Sequence, residues 1–230
     1  LDSYEPGMTC AQLDPLFAEL KAFLPGLLDA TIERQQQQPA QLPEGPFTIE
    51  EQRALGLAMM RTLGFDFEHG RLDVSHHPFC GGVPSDVRIT TRYNTEGFTQ
   101  ALMGVIHETG HALYEQGLPA EWQSQPVGQA LSTAVHESQS LLMEMQACRS
   151  PEFLHYLTPH LQGSFAAAQP RAAAWQEDNL YRLFTHVKRG YIRVDADEVS
   201  YPLHVILRYE IERQLIEGEL EVAGIPEAWD

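Results

Sequence analysis

Val105-Ile106-His107-Glu108-Thr109-Gly110-His111-Ala112-Leu113-Tyr114 carries the pattern H-E-x-x-H inside an apolar stretch. Leu102, Val105, Ile106 and Leu113 recur at helical spacing, and Gly117 followed by Pro119 supplies a stop, so a helix is expected here. On a helix, His107 and His111 sit one turn apart on one face, close enough to share a zinc ion, with Glu108 turned toward its edge. That disposition points to a zinc hydrolase. Random placement of the 10 histidines and the glutamates of this chain would give about 0.04 such matches, so the motif alone is suggestive and its apolar context adds weight.

Hydrolytic zinc sites use three protein ligands plus a water, so a carboxylate from farther along the chain is expected to complete the set. Downstream candidates are Glu115, Glu121, Glu137 and Glu144. Glu115 lies one turn past His111, where reaching the same ion would strain a straight helix, and Glu121 falls in a proline-flanked loop. Glu137 lies within an apolar helical stretch, where an unpaired carboxylate is costly to bury, so a partner is expected for it. The competing reading leaves Glu137 exposed on a polar side beside Gln139 and Ser140.

Working outward, the pattern is mainly helical. Thr9 and Gln12 form a capping box before an apolar stripe running to about Arg34, which Pro25 is expected to kink or split. Thr48 and Glu51 form a second box, opening a helix that Gly64 ends. Between residues 65 and 93 the period changes toward two, with residues 72–75 and 87–93 alternating like half-buried strands around Pro78, Gly81, Gly82 and Pro84. A small antiparallel sheet just before the zinc helix is therefore expected. Residues 129–148 read as one helix, Ser150-Pro151 starts another, and residues 165–175 and 180–187 add helical material. Residues 191–194 read as extended, and a last helix runs to Glu217, capped by Asp195 to Asp197 and stopped by Gly218.

Composition limits the function classes. Lys and Arg number 15 against 32 Asp and Glu, a formal net charge of −17, which repels a polyanionic backbone and argues against nucleic-acid binding. Cys10, Cys80 and Cys148 are odd in number and far apart, so neither a disulfide framework nor a cysteine zinc site is indicated, and a reducing cytoplasm fits. No apolar run approaches the roughly 18 residues of a membrane span, and a basic-then-apolar signal sequence is lacking at the N-terminus. The chain opens at Leu1 and closes at Trp229-Asp230, which suggests a piece of something longer.

Four motifs in order, residues 86–90 (Asp-Val-Arg-Ile-Thr), 107–111 (His-Glu-Thr-Gly-His), 136–139 (His-Glu-Ser-Gln) and 192–197 (Ile-Arg-Val-Asp-Ala-Asp), resemble signatures of the carboxypeptidase Taq family of zinc metallocarboxypeptidases. The likeness also takes in residues 72–75 and 77–79 and runs over essentially the whole chain. It implies a helical gluzincin fold with one zinc ion on His107, His111 and Glu137, cobalt being the alternative occupant, and with Glu108 as general base. It further implies removal of single residues from peptide C-termini with broad specificity, by a homodimer. The family continues to a further G-x-x-Q-D-x-H-W signature that does not occur before Asp230, so residues 1–230 are expected to be a single catalytic-core segment of a longer enzyme.

An exopeptidase must recognise a free α-carboxylate, which a planar guanidinium does with two parallel hydrogen bonds. The candidates are Arg193 and Arg88. The resemblance favours Arg193 as the anchor, against a salt bridge to Asp195, Asp197 or Glu198; Arg88 either shapes the substrate channel or pairs with Asp86. His77 and His136 are candidates to face the cleft, and His76 to face solvent. Two other functions compete: an endo-acting oligopeptidase of related chemistry, and a metal-binding piece without turnover.

Overall fold

The computed structural model describes residues 1–2, 4–166 and 172–229. In chain order the elements begin with α1 (Cys10–Gln36), α2 (Ile49–Leu63), β1 (Gly70–Val74), β2 (Phe79–Val83), β3 (Asp86–Thr91) and α3 (Thr99–Gln116). They continue with α4 (Thr133–Leu141), a π-helical segment over Leu142–Ala147, α5 (Pro151–Phe165), α6 (Glu177–Phe184), α7 (Tyr201–Glu217) and α8 (Ile225–Trp229). The architecture is mainly α with one small sheet, as the period changes along the chain indicate. No helix among the described residues is long and apolar enough to cross a membrane. Part of the Ala-rich stretch expected to be helical lies outside the described residues, and Ala173–Trp175 form a single 3-10 turn.

The chain divides into two compact units. One comprises Leu1–Gly7 and Ala40–Phe184, the other Met8–Pro39 and Thr185–Asp230. In the first, α3 is buried on two sides. Leu102, Met103 and Ile106 join an apolar cluster with Leu55 and Met59 of α2, Leu154, Leu157 and Leu161 of α5, and Phe184. Val105 and Ala112 face a second cluster with Met60, Phe65, Leu72, Val87 and Ile89. Burying each such side chain contributes about 1.5–3 kcal/mol, which fixes how α3 is rotated and leaves its third side for the histidines.

The sheet corrects the expected antiparallel arrangement. Its order is β1-β3-β2, with β2 antiparallel to β3 and β1 parallel to it. β3 takes the centre because Val87, Ile89 and Thr91 are all buried, and Leu72 of β1 extends that apolar layer on one flank. β2 presents only Cys80 to the layer and is left at the edge. The β2 segment reads as loop in the sequence because of Gly81 and Gly82. Gly82 has φ +108, and a Cβ there would meet the Asp86 carbonyl oxygen at 2.2 Å, so the hairpin itself demands glycine at this position.

In the second unit α1 runs as one helix through Pro15 and Pro25, so of the two expected effects Pro25 does not split it. Lys21, whose carbonyl loses its partner at Pro25, is exposed, so water can satisfy it. α1 and α7 are tied by Asp14, which accepts from Arg213 and from the Tyr209 hydroxyl at 2.8 Å, and by Lys21 with Glu210. Asp197 accepts from the backbone of Lys188, Val199 and Ser200, and Gly218 closes α7. Residues expected to be extended near Ile192 instead turn into a short 3-10 helix, Arg193–Asp195.

All three cysteines are free thiols. Burial, with the carboxylates of Glu108 and Glu115 adding to it, pushes the Cys80 thiol up to about 12, and burial alone pushes Cys148 up to about 12. The thiolate is the reactive form. A disulfide reagent at pH 8 should therefore leave Cys80 and Cys148 unmodified in the folded protein, and both should react once denaturant is added. Rapid labelling of Cys80 without denaturant, read by mass spectrometry, would contradict this packing.

Candidate metal centre

His107 and His111 stand one turn apart on α3 with ring centroids 5.0 Å apart. α4 crosses α3 at Gly110, where a Cβ would lie 2.6 Å from both the Gln139 carbonyl oxygen and Ser140 Cα. The two backbones meet there without an intervening side chain, and α4 presents Glu137 to the histidines. Its Oε2 is 3.3 Å from His111 Nε2 and its Oε1 is 3.9 Å from His107 Nε2.

One ligand atom from each of His107, His111 and Glu137 lies within 4.8 Å of the others. A tetrahedral zinc with bonds of about 2.0–2.1 Å holds its donors about 3.3 Å apart, so the observed separations fit one ion with small adjustment. Two imidazoles and a carboxylate are also a usual donor set for a hydrolytic zinc. Of the four carboxylates weighed from the sequence, Glu137 alone approaches the Nε2 atoms among the described contacts. Glu115 and Glu144 land elsewhere: Glu144 Oε2 is 2.9 Å from His107 Nδ1, and Glu115 Oε1 is 2.7 Å from His136 Nε2.

Glu144 follows Glu137 by seven residues, two turns of helix, so both carboxylates face α3. They approach His107 on different nitrogens, Glu137 at Nε2 and Glu144 at Nδ1, and Glu144 lies within the π-helical segment. Arg149 then binds Glu144 twice, Nη2 donating to Oε1 at 2.9 Å and Nε to the backbone carbonyl at 3.2 Å.

Glu108 is 7% exposed on α3. Burial raises its carboxyl above the ordinary glutamate range, with Glu137 and Glu144 adding to the rise and His107 and His111 opposing it. At His107, burial disfavours the charged ring, but the bond to Glu144 and the nearby carboxylates outweigh it and raise the pKa.

The remaining candidates are described by their own contacts. Arg88 is exposed on the face of β3 that alternates away from the buried Val87, Ile89 and Thr91, and its guanidinium is held by Asp86 at 2.7 Å. His77 is exposed in the link between β1 and β2, where its carbonyl accepts the Thr90 hydroxyl at 2.9 Å. Arg193 belongs to the second unit; its Nη1 donates to the Tyr201 hydroxyl at 2.8 Å and its guanidinium lies over that ring. Sequence reasoning named His136 only as a candidate for the cleft and Glu115 and Glu144 only as candidate ligands; it missed their contacts with the histidines and missed Arg149. A signal existed for two of them: Glu115 follows His111 by one helical turn, and Glu144 follows Glu137 by two.

A family model described as Carboxypeptidase Taq (M32) metallopeptidase matches residues 1–230. Thermostable carboxypeptidase 1 of Thermus thermophilus is 43% identical over 230 residues, covering 100% of this chain and 44% of the relative. Carboxypeptidase 1 of Bacillus subtilis is 38% identical over 232 residues, covering 100% of this chain and 46% of the relative. Among solved structures, metallocarboxypeptidase 1 of Trypanosoma cruzi superposes with a TM-score of 0.92 at 47% identity, over 99% of this chain and 45% of that one. The chain thus spans a little under half the length of the proteins it matches.

Proposed function

The chain belongs to the carboxypeptidase Taq (M32) metallopeptidase family, and from that premise we propose that it carries the catalytic core of a zinc metallocarboxypeptidase removing C-terminal residues from peptides. The observation that carries the reading is the convergence of His107, His111 and Glu137 beside the buried Glu108. These three residues would hold one zinc ion, with cobalt as the alternative occupant. When bound, the ion would supply Lewis acidity toward the scissile carbonyl and the attacking water.

Glu108 acts as the general base. Its carboxylate takes a proton from the water and returns it to the departing amine, and burial raises its pKa above the ordinary glutamate range, toward a better base. The roles of the two carboxylates differ because Glu137 approaches both Nε2 atoms, whereas Glu108 lies beside them in sequence and keeps its proton traffic free. β2 is an edge strand packed against α3, and its outer backbone groups can bind an extended peptide of any sequence, which supports broad specificity. For Arg193 we take the role of carboxylate anchor, on the Ile192-Arg193 motif and guanidinium chemistry. Arg88, although paired with Asp86, and His77 are proposed for supporting roles in the substrate channel, on the motifs in which they stand. The reading includes a cytoplasmic location, with which the free thiols fit, and a homodimer, on the family likeness alone.

The test uses a peptide of defined sequence with zinc-loaded protein. A free C-terminus should be trimmed one residue at a time, and amidating it should remove most of the activity, because the guanidinium loses its carboxylate. Equal cleavage of the amidated peptide at internal bonds would make the protein an oligopeptidase. Stoichiometric zinc without any turnover would make it a metal-binding module.

A further inference from the structure

A neutral imidazole carries one N–H and one lone pair, so a histidine that binds a metal through Nε2 must keep its proton on Nδ1 and find an acceptor for it. His107 has a simple one, since Glu144 Oε2 lies 2.9 Å from its Nδ1 and Arg149 fixes that carboxylate. His111 has a different one. Its Nδ1 lies 2.6 Å from Nδ1 of a second histidine, His136. Two such nitrogens bond only if one donates and the other accepts, and by itself His136 could do either.

The direction is decided one step farther out. His136 Nε2 lies 2.7 Å from Glu115 Oε1, and an ionised carboxylate can only accept. His136 therefore keeps its proton on Nε2, its Nδ1 carries the lone pair, and it accepts from His111 Nδ1–H. His111 Nε2 is then left bare toward Glu137, the side on which the donor set converges. The Tyr114 ring meets His136 edge-on at 4.9 Å and holds its plane.

We infer that His136 and Glu115 form a one-directional hydrogen-bond relay that fixes the tautomer of His111, making both positioning residues for the metal centre. The inference rests on the ligand assignment proposed above. It also accounts for the order of residues on α3: Glu115, one turn past His111, is too close along the helix to share the ion but well placed to reach its outer partner.

The test is zinc affinity by competition with a chromogenic chelator, alongside the thermal midpoint of the metal-free protein. Loss of an outer partner typically costs 10–100-fold in metal affinity, and that is the fall expected for His136→Phe. His136→Asn keeps an acceptor oxygen near the Nδ1 position and should recover most of the affinity. Glu115→Leu is the sharpest variant. It removes the acceptor while filling a similar space, so nothing holds the His136 proton on Nε2, His136 Nδ1 is free to donate toward His111, and zinc should weaken about tenfold.

A space-filling role would instead leave Glu115→Leu binding zinc normally. Unchanged affinity in Glu115→Leu overturns the relay even if His136→Phe fails to fold, and so does His136→Asn binding as weakly as His136→Phe. Failure of the unaltered protein to take up zinc overturns the ligand assignment and the relay together. Weakened zinc in the variants of a protein that binds zinc but cleaves no peptide supports the relay and sinks only the catalytic reading.

Discussion

Glu108→Gln is expected to bind zinc as tightly as the unaltered protein and to release C-terminal residues on the order of 10²–10⁴-fold more slowly. The substitution keeps the shape of the side chain but removes its ability to take a proton. Glu108 is not among the three residues whose ligand atoms converge, so metal content should not change. Glu137→Gln should behave in the opposite way, losing metal first and activity as a consequence. The measurement is kcat on a short peptide together with zinc per chain by atomic emission. Undiminished kcat in Glu108→Gln would reassign the base.

The same substitution carries an opposite effect on stability. The Glu108 carboxyl is raised by burial in the fold, so the folded state favours its protonated form. That contribution is fully present below the ordinary glutamate pKa and is lost as pH rises through the raised value in the fold. At pH 7 the buried charge is therefore a cost which glutamine does not bear. Metal-free Glu108→Gln should unfold at a higher temperature than the metal-free parent at pH 7, and the gap should close as pH falls below the glutamate range. A base kept at the expense of stability is a common signature of an active site.

Much of this was legible in the sequence because it is written in local patterns. Two capping boxes announced α1 and α2, and the spacing of His107 and His111 placed both on one face of α3. Glu137 stood out as a carboxylate in an apolar helical stretch, with an exposed position as the competing reading, and in the fold it is half-buried. The partners of the two Nδ1 atoms were not legible, because they depend on the register of one helix against another. Glu115, set aside as a ligand for strain, and Glu144 were weighed only against the ion, whereas in the fold Glu115 contacts His136 Nε2 and Glu144 contacts His107 Nδ1. The π segment over Leu142–Ala147 leaves no mark on an apolar period, and glycines that allow an edge strand look the same as glycines that interrupt one. Likewise, alternation marks a strand without saying which neighbour it pairs with, and the parallel partner of β3 was settled by the shared apolar layer.

That dependence on register makes Gly110 the most sensitive position outside the ligands. Gly110→Ala would put a Cβ 2.6 Å from the Gln139 carbonyl oxygen and from Ser140 Cα, and 3.0 Å from Gln139 C. These are backbone atoms of α4, which cannot swing aside as the end of a side chain can, so α4 as a whole must back away. Alanine is favoured over glycine within a helix by about 0.8–1.0 kcal/mol, but overpacking of this kind typically costs about 1–3 kcal/mol, so the net effect is destabilising. The metal centre should suffer more than the fold. Metal–ligand distances tolerate changes of only about 0.2 Å, and any retreat of α4 carries Glu137 away from both histidines at once. We expect a lowered thermal midpoint and zinc affinity reduced by more than tenfold. Gly104→Ala, on the same helix, supplies the control: its nearest foreign atom is Pro78 Cγ at 3.6 Å, an ordinary contact, so the gain in helix propensity should stand and zinc should bind as before. If both variants bind zinc equally well, the close crossing at Gly110 is not what holds Glu137 over the histidines.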